Sequence, residues 1–155
     1  MIILRLFLLV LPFIYMALIW IQTSNFDPES VYMLSTQIDM KILLLIGAGL
    51  ELAHLFEFGL LYLFIIMFFL LFGKLTKRKE IIAIFLAGGY GLTDEIHQLF
   101  VPFRSFSIID LIKNGIGIWA LWFFIKRKYN SKNSRVGVFL RKLPNSQKGT
   151  RDIPF

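Results

Sequence analysis

Long apolar runs, broken at only a few positions by ionisable residues, dominate the first 125 residues of the chain. Hydrophobic residues make up 57% of the sequence and its mean hydropathy is +0.69, well above the usual composition of soluble domains. A soluble globule of 155 residues could not bury so much apolar surface, so the bilayer is the expected solvent. The chain has no Cys, which excludes disulfides, thiolate metal sites and Cys nucleophiles.

The apolar runs predict four membrane-spanning helices. The first follows Arg5 and carries Trp20 near its end, as an interfacial anchor does, and no small-residue cleavage site follows it. The apolar stretch over residues 42–73 is too short for two spans and a turn. We therefore expect a short interfacial or re-entrant segment over Ile42–Leu50 before the second span. The spans themselves are predicted at Leu6–Ile21, Leu55–Phe72, Ile81–Phe100 and Ile108–Ile125.

Lys and Arg are distributed unevenly about these spans. The loop over residues 74–79 carries four of them and residues 126–155 carry nine, whereas residues 23–40 carry none. Because basic residues favour the cytoplasmic side, both termini are expected to be cytoplasmic. The sequence thus predicts an all-α, integral membrane four-helix bundle over residues 1–125.

Residues 126–155 are predicted to form a basic cytoplasmic tail that is partly disordered, because its polar composition offers little to bury. Its nine basic residues face a single acidic one, Asp152. Such a tail is expected to attract the anionic lipids of the inner leaflet. Because the excess positive charge is confined to it, we expect no nucleic-acid partner.

Polar side chains on three of the predicted spans fall at a similar depth. With a rise of about 1.5 Å per residue, Glu57, Asp94 and Asn114 lie about 18–24 Å above the cytoplasmic ends of a core about 30 Å thick. Charged residues inside a span usually face a bundle interior or a wet cavity. These positions therefore predict a polar site toward the outer face. Its other candidate members are His54, Glu95, His97, Gln98, Arg104 and Asp110.

Spacing along the third span sorts its polar residues by helix face. Asp94, His97 and Gln98 lie at i, i+3 and i+4, so we expect them to share a face. Glu95 is rotated from Asp94 by about 100° around the helix axis. This arrangement predicts that His97 lies beside Asp94 or Glu95, where a carboxylate could position it as an acid or base.

Several positions could also serve the fold alone. Ser107 and Asp110 match a capping box, so Asp110 could simply begin the fourth helix. Lys113 could do no more than neutralise a nearby carboxylate. Small residues at four-residue spacing predict close helix packing rather than chemistry, namely Ala83, Ala87 and Gly91.

The polar residues of the third and fourth spans form a recognisable pattern, with members Asp94, Glu95, Gln98, Phe100, Arg104, Asp110, Asn114 and Gly117. It resembles the signature of the VanZ-like membrane protein family, which reads roughly D-E-x-x-Q-x-F-x-x-x-R-x-x-x-x-x-D-x-x-x-N-x-x-G. The earlier His54, Glu57 and Phe58 resemble the family's H-F-x-E-Y element. Two positions depart from the family pattern: Glu51, where it often has Lys, and Phe103, where it commonly has Gly.

The resemblance covers about residues 1–125 and implies a small four-helix bacterial membrane protein. The family's founding member is associated with resistance to the glycopeptide antibiotic teicoplanin, and no established reaction comes with the family. We therefore expect a multi-pass protein of the bacterial cell membrane that contributes to glycopeptide tolerance at the cell envelope.

Our first mechanistic hypothesis is an activity that binds or modifies an envelope component, either lipid-linked or related to peptidoglycan. Arg104 would hold an anionic group, because its planar fork suits bidentate binding. The candidate catalytic residues are Asp94, Glu95, His97 and Asp110. The candidate substrate-binding residues are His54, Glu57, Gln98, Arg104 and Asn114.

Two alternatives stay open. Zinc accepts His and carboxylate ligands, so the protein could be a metal-assisted membrane hydrolase, although no H-E-x-x-H pattern is present and we predict neither a metal site nor a cofactor. The protein could instead be non-enzymatic, shielding envelope precursors or binding a partner protein. A homo-oligomer is compatible with each of these hypotheses.

Overall fold

A computed structural model describes residues 2–25, 33, 39–102 and 104–144, apart from the side chains at positions 46, 47, 50, 51, 53 and 54. These residues form helices and connecting turns, with no strand among them, which confirms the predicted all-α class. The helices of the described ranges are α1 (Ile2–Ser24), α2 (Met40–Leu70), α3 (Lys77–Gln98), α4 (Ile108–Asn130) and α5 (Arg135–Lys142).

The second helix is longer than the sequence pattern predicts. The separate interfacial or re-entrant segment expected over Ile42–Leu50 is wrong, because these residues are the first turns of α2. Asp39 caps this helix by accepting a 2.7 Å hydrogen bond from the Lys41 backbone N–H. No Pro interrupts the run, and Gly49 lowers helix propensity by only about 1 kcal/mol, which is too little to break a continuous apolar helix.

Basic residues gather where α2 ends. The Lys79 ammonium donates 2.9 Å hydrogen bonds to the Phe69 and Gly73 carbonyl oxygens, and the Arg5 guanidinium donates one of 3.1 Å to the Leu71 carbonyl. The last carbonyls of a helix lack partners within it and carry partial negative charge, so cations stabilise them. This region, where α1 and α3 begin and α2 ends, is called the basic end below.

The opposite ends of the helices are joined by polar contacts. Ser24 Oγ, at the end of α1, lies 2.9 Å from His97 Nε2 in the last turn of α3. The Ser107 backbone N–H, which precedes α4, donates a 2.9 Å hydrogen bond to Glu95 Oε2. These contacts define the polar end. Successive helices from α1 to α4 therefore run in alternating directions between the basic end and the polar end.

Glycines allow α2 and α4 to approach closely. A Cβ atom at Gly59 would lie 2.8 Å from the Gly117 carbonyl oxygen, and one at Gly117 would overlap the Leu55 carbonyl. The predicted small-residue repeat of α3 is confirmed as a packing feature, because Ala83, Ala87 and Gly91 are all buried. Backbone approach at small residues is typical of helix association in lipid.

Within the described ranges, two helices, α1 and α4, are long and apolar enough to cross a membrane. Only 17% and 22% of their most apolar windows are buried inside the structure, whereas the core helix of a soluble protein is mostly buried. Large apolar side chains instead point outward on several helices, for example Phe85 at 75% and Trp119 at 61% exposure. Such a surface fits lipid better than water.

The beginning of the predicted basic tail is helical. Helix α4 continues to Asn130, and α5 follows with its Leu140 side chain buried. Gly137 allows α5 to pack closely against the end of α4, because a Cβ atom at this position would overlap the Lys128 carbonyl oxygen. Residues 145–155 of the tail lie outside the described residues.

Replacing Gly117 by Ala should destabilise the protein by about 1–3 kcal/mol, because the new methyl group would collide with the α2 backbone. We expect a lower thermal unfolding midpoint in detergent. Gly115→Ala is the matched control on the same helix, since a Cβ atom there meets nothing within 4 Å. Equal midpoints for the two variants would contradict the close approach of α2 and α4.

Candidate functional site

Several candidate residues of the predicted polar site lie at the polar end, where α3 finishes and α4 begins. Four of the candidate side chains are almost fully buried, each exposed by 2% or less: Asp94, Glu95, Gln98 and Asn114. Burying polar groups is costly unless they are hydrogen-bonded. Their hydrogen-bond partners therefore determine what the site can do.

Gln98 connects the two acidic residues of α3 to Arg104. Its amide nitrogen Nε2 donates to Asp94 Oδ2 at 3.1 Å and to Glu95 Oε1 at 3.4 Å. Its carbonyl oxygen Oε1 accepts from Arg104 Nη2 at 2.7 Å and from Arg104 Nε at 3.3 Å. A single amide thus joins two carboxylates to a guanidinium, and we call these four residues the Gln98 network.

The Gln98 network also fixes the start of α4. Ser107 caps this helix, because its hydroxyl accepts a 3.1 Å hydrogen bond from the Asp110 backbone N–H; this confirms the Ser107 half of the predicted capping box. In a reciprocal capping box, the third helical residue would accept from the N-cap N–H. Here the Glu95 carboxylate of α3 accepts a 2.9 Å hydrogen bond from the Ser107 backbone N–H, so it connects α3 to the start of α4.

Asp110 is half-buried beside Lys113 on the first turn of α4. The Lys113 ammonium forms a 2.8 Å ion pair with Asp110 Oδ1, which confirms that Lys113 neutralises a nearby carboxylate. An exposed or half-exposed pair of this kind contributes little to stability. Asp110 therefore lies in the first turn of α4 and also at the rim of the polar site.

Asn114 is buried beside Gly91 and Phe58. A Cβ atom at Gly91 would lie 3.3 Å from Asn114 Nδ2, which places this amide one turn from Asp94 along α3. Neither polar atom of the Asn114 side chain has a hydrogen-bond partner among the described residues. A buried polar group without a hydrogen-bond partner destabilises the fold by about 1–3 kcal/mol. Such a group is typical of a position that binds a ligand or an ordered water.

His97 lies against α1. Its ring stacks on the Trp20 indole with centroids 3.6 Å apart and planes 19° apart, and its Nε2 hydrogen-bonds to Ser24. The sequence pattern places His97 on a face with Asp94, whereas the structure directs its ring to the end of α1. Helix periodicity alone could not anticipate this, because α1 carries no ionisable residue near that end.

Glu57 lines a pocket of about 280 Å³ between α1 and α2. The residues that line this pocket are Tyr15, Gln22, Phe56, Glu57 and Leu60. The side chain of the remaining candidate, His54, lies outside the described residues, as does that of Glu51. Among the described side chains, no group of three His, Asp or Glu is arranged to hold a metal ion.

The sequence pattern omitted three contributors to the site: Ser24, Tyr15 and Gln22. They lie on α1, which is predicted as a plain apolar span. The polar run 22–25 at its end could have indicated Ser24 and Gln22, but no signal in the sequence marks Tyr15. The arrangement as a whole offers buried carboxylates that can accept protons or hydrogen bonds. Beside them are an amide with unused hydrogen-bonding capacity and a half-buried guanidinium.

Helices with apolar outer surfaces, packed around a buried polar network at one end, are typical of a helical membrane protein. The comparison with known families agrees, because the model of the VanZ/LLP1 family matches residues 2–129. The chain therefore belongs to the VanZ/LLP1 family, and the resemblance noted in the sequence is confirmed. The family and the two apolar helices together suggest a membrane protein. Comparisons with curated proteins and with solved structures gave no match.

Replacing Gln98 by Leu should lower the thermal unfolding midpoint markedly, because both buried carboxylates and Arg104 lose a hydrogen-bond partner at once. Leaving buried polar groups without partners costs about 1–3 kcal/mol each. Thr93→Val is the control on the same helix, since the exposed Thr93 hydroxyl bonds only to the Gly89 carbonyl of its own helix. A midpoint for Gln98→Leu as high as that of the control would refute the bridging role.

Replacing His97 by Phe should preserve the stack on Trp20 while removing the hydrogen bond to Ser24. If His97 mainly fastens α1 to α3, Phe at this position will retain more thermal stability than Ala, because aromatic pairs contribute about 0.5–1.5 kcal/mol beyond burial. Thermal unfolding of the two variants in detergent measures this difference. Equal losses would exclude a contribution from stacking.

Proposed function

We propose that the protein is a four-span membrane protein with both termini in the cytoplasm and the Gln98 network toward the outer face. The contacts at the two ends of the helices support this orientation. Arg5 and Lys79 lie together at the basic end, and basic residues favour the cytoplasmic side of a membrane. The Gln98 network lies at the opposite end of the same helices.

The function that this arrangement supports best is a contribution to teicoplanin tolerance, through binding or modifying an envelope or lipid-linked cell-wall component. The observation that carries the proposal is the buried Gln98 network at the polar end. Intramembrane ionisable residues are expensive and usually mark a functional site. The antibiotic itself is inferred from family membership and not from the geometry.

Each candidate residue has a role in this proposal. Asp94 and Glu95 accept a hydrogen bond or a proton from the bound group, because a buried carboxylate is suited to both. Asn114 supplies a donor and an acceptor that orient the group one turn away. Arg104, held by Gln98, contributes positive charge at the rim. The remaining candidates are His54 and Glu57 for substrate binding and His97 and Asp110 for catalysis.

The non-enzymatic alternative receives support from the same contacts. Glu95 caps α4 and Gln98 bridges Arg104, so these residues also perform a structural task. A protein that only shields or binds a precursor would need this scaffold but no proton transfer. Charge-removing substitutions that preserve hydrogen bonding separate the two possibilities.

We expect expression of the protein in a sensitive Gram-positive host to raise its resistance to teicoplanin more than to vancomycin. Glu95→Gln should abolish the protection, because Gln retains an acceptor for the Ser107 N–H but carries no charge. Arg104→Ala should do the same. Susceptibility is measured against empty vector at matched membrane levels of each protein.

Glu80→Gln is the matched control, because it makes the same change of carboxylate to amide at the basic end, where Glu80 accepts from the Trp122 indole. It should leave protection intact. Unchanged susceptibility with well-inserted wild-type protein would refute the resistance assignment. Full protection by Glu95→Gln would instead favour the non-enzymatic alternative.

A further inference from the structure

Helix α5 turns back on the end of α4 and is held there by contacts with its backbone. A Cβ atom at Gly137 would overlap the Lys128 carbonyl oxygen, so the two helices meet through their main chains. The Arg141 guanidinium donates hydrogen bonds to the carbonyl oxygens of Tyr129 and Ser131, the latter at 3.1 Å. Carbonyls at the end of a helix lack partners within it, so Arg141 stabilises the end of α4. Helix α5 is therefore fixed beside the last turn of α4.

The side chains of α5 divide into a buried face and an exposed face. Leu140 and Leu143 are 2% and 6% exposed, and they belong to the core that also contains Leu70 at the end of α2. Another face of α5 carries exposed side chains at i, i+4 and i+7, which are Arg135, Phe139 and Lys142. Phe139 is 45% exposed, so an aromatic ring lies at the surface between two cations.

The part of α4 next to α5 has the side chains of a membrane boundary. The Lys126 ammonium lies 4.7 Å from the centroid of the Trp122 ring, and the Lys128 ammonium lies 5.4 Å from that of the Phe124 ring. Lysine and tryptophan side chains at the end of an apolar span are typical of the interface between hydrocarbon and water. Because α5 contacts the backbone of Lys128, it lies at this level as well.

The formal charge around α5 has one sign. Residues 126–144 contain seven basic residues and no acidic one. Such a segment is complementary to anionic headgroups, and each basic residue close to them strengthens association about fivefold. Helices that lie in the interfacial plane typically combine basic residues with exposed aromatic ones. A soluble partner would have to enter the headgroup layer to reach this face, so its depth favours lipid.

We propose that the α5 face formed by Arg135, Phe139 and Lys142 binds anionic lipid at the membrane surface of the basic end. The Phe139 ring enters the boundary between headgroups and acyl chains, while the two basic side chains contact lipid phosphates. This site lies at the opposite end of the helices from the Gln98 network and is independent of it. It rests on the membrane-spanning arrangement proposed above. A folded helix, rather than a diffuse basic tail, then provides the contact with lipid.

The test uses a single labelled cysteine, because the chain has no Cys of its own. A nitrobenzoxadiazole fluorophore is attached at Phe139→Cys, and the full-length protein is placed in nanodiscs of phosphatidylglycerol and phosphatidylcholine in equal amounts. One of the two lipids carries a nitroxide quencher close to its headgroup. The ratio of quenching by the two lipids measures their relative affinity for α5, and we expect a preference of about fivefold for the anionic lipid.

Two double variants separate charge from position. Arg135→Gln combined with Lys142→Gln should reduce the preference below about twofold, because it removes the charge of this face. Arg135→Lys combined with Lys142→Arg is the matched control, which keeps both charges and should keep the preference. The same fluorophore at Lys132→Cys, in the turn beyond the end of α4, should be quenched more weakly by both lipids.

The contribution of the ring is measured with the fluorophore at Val136→Cys, one turn from Phe139 on α5. Phe139→Ser in this background should reduce quenching by both lipids, because the helix loses its apolar contact with the membrane. Phe139→Leu is the control, since it keeps an apolar side chain and should preserve most of the quenching. Equal quenching in these two variants would overturn the role of the ring.

A fluorophore at Phe85→Cys, a position that is 75% exposed on α3, reports separately whether the helices span the bilayer. If lipid quenches it there but does not quench it at position 139, or if neither lipid is preferred at position 139, the α5 site is overturned and the spanning arrangement stands. A preference that survives the double Gln variant, or equal quenching at positions 132 and 139, would also overturn the site. No quenching at position 85 would overturn the spanning arrangement together with the site. The assay contains no antibiotic, so the outcome of the teicoplanin experiment is a separate result.

Discussion

The structure depends most on the side-chain amide of Gln98, which holds two buried carboxylates and a half-buried guanidinium together. Each acidic residue alone would be expensive to bury, and a carboxylate pair without donors would be worse. Gln98 reduces this cost because it donates to both carboxylates and accepts from Arg104. Through Glu95 and Ser107, the same network determines where α4 begins.

The packing of the helices brings the rest of the polar end into position. Gly59 and Gly117 let α2 and α4 touch through their backbones, and this contact holds Phe58 and Asn114 beside α3. The cations at the basic end satisfy the last carbonyls of α2. The glycines between α2 and α4 and the cations at the end of α2 therefore stabilise the helix packing on which the polar site depends, although they are not themselves part of the site.

The sequence predicts the helical class and the acidic cluster of α3, because long apolar runs with a few embedded charges are typical of helices packed around a polar cluster. It also predicts the cap at Ser107 and the buried repeat ending at Gly91, since both depend on local spacing. It does not predict the continuity of α2. The glycines and polar residues near its start look like a break, but an apolar helix with a good cap tolerates them.

Contacts between helices cannot be predicted from the spacing of residues along the sequence. The direction of His97 depends on where Trp20 and Ser24 lie in space, and the end of α1 near His97 carries no charged residue to indicate that it is a partner. The pocket beside Glu57 has the same origin, because residues of two different helices, α1 and α2, line it together. Periodicity places a residue on a helix face, whereas only packing decides which neighbour that face meets.

The hydrogen bonds described for Gln98 and for the Ser107 backbone N–H are also short-range along the chain. Those of Gln98 connect residues at most six positions apart, and the one from Ser107 to Glu95 connects residues twelve apart. Contacts of such low sequence separation form with little loss of chain entropy. During biosynthesis, these hydrogen-bond partners can therefore meet as soon as α3 and α4 have formed a hairpin. The polar contacts around Gln98 are then a local feature of the chain, against which α1 packs through Trp20 and Ser24.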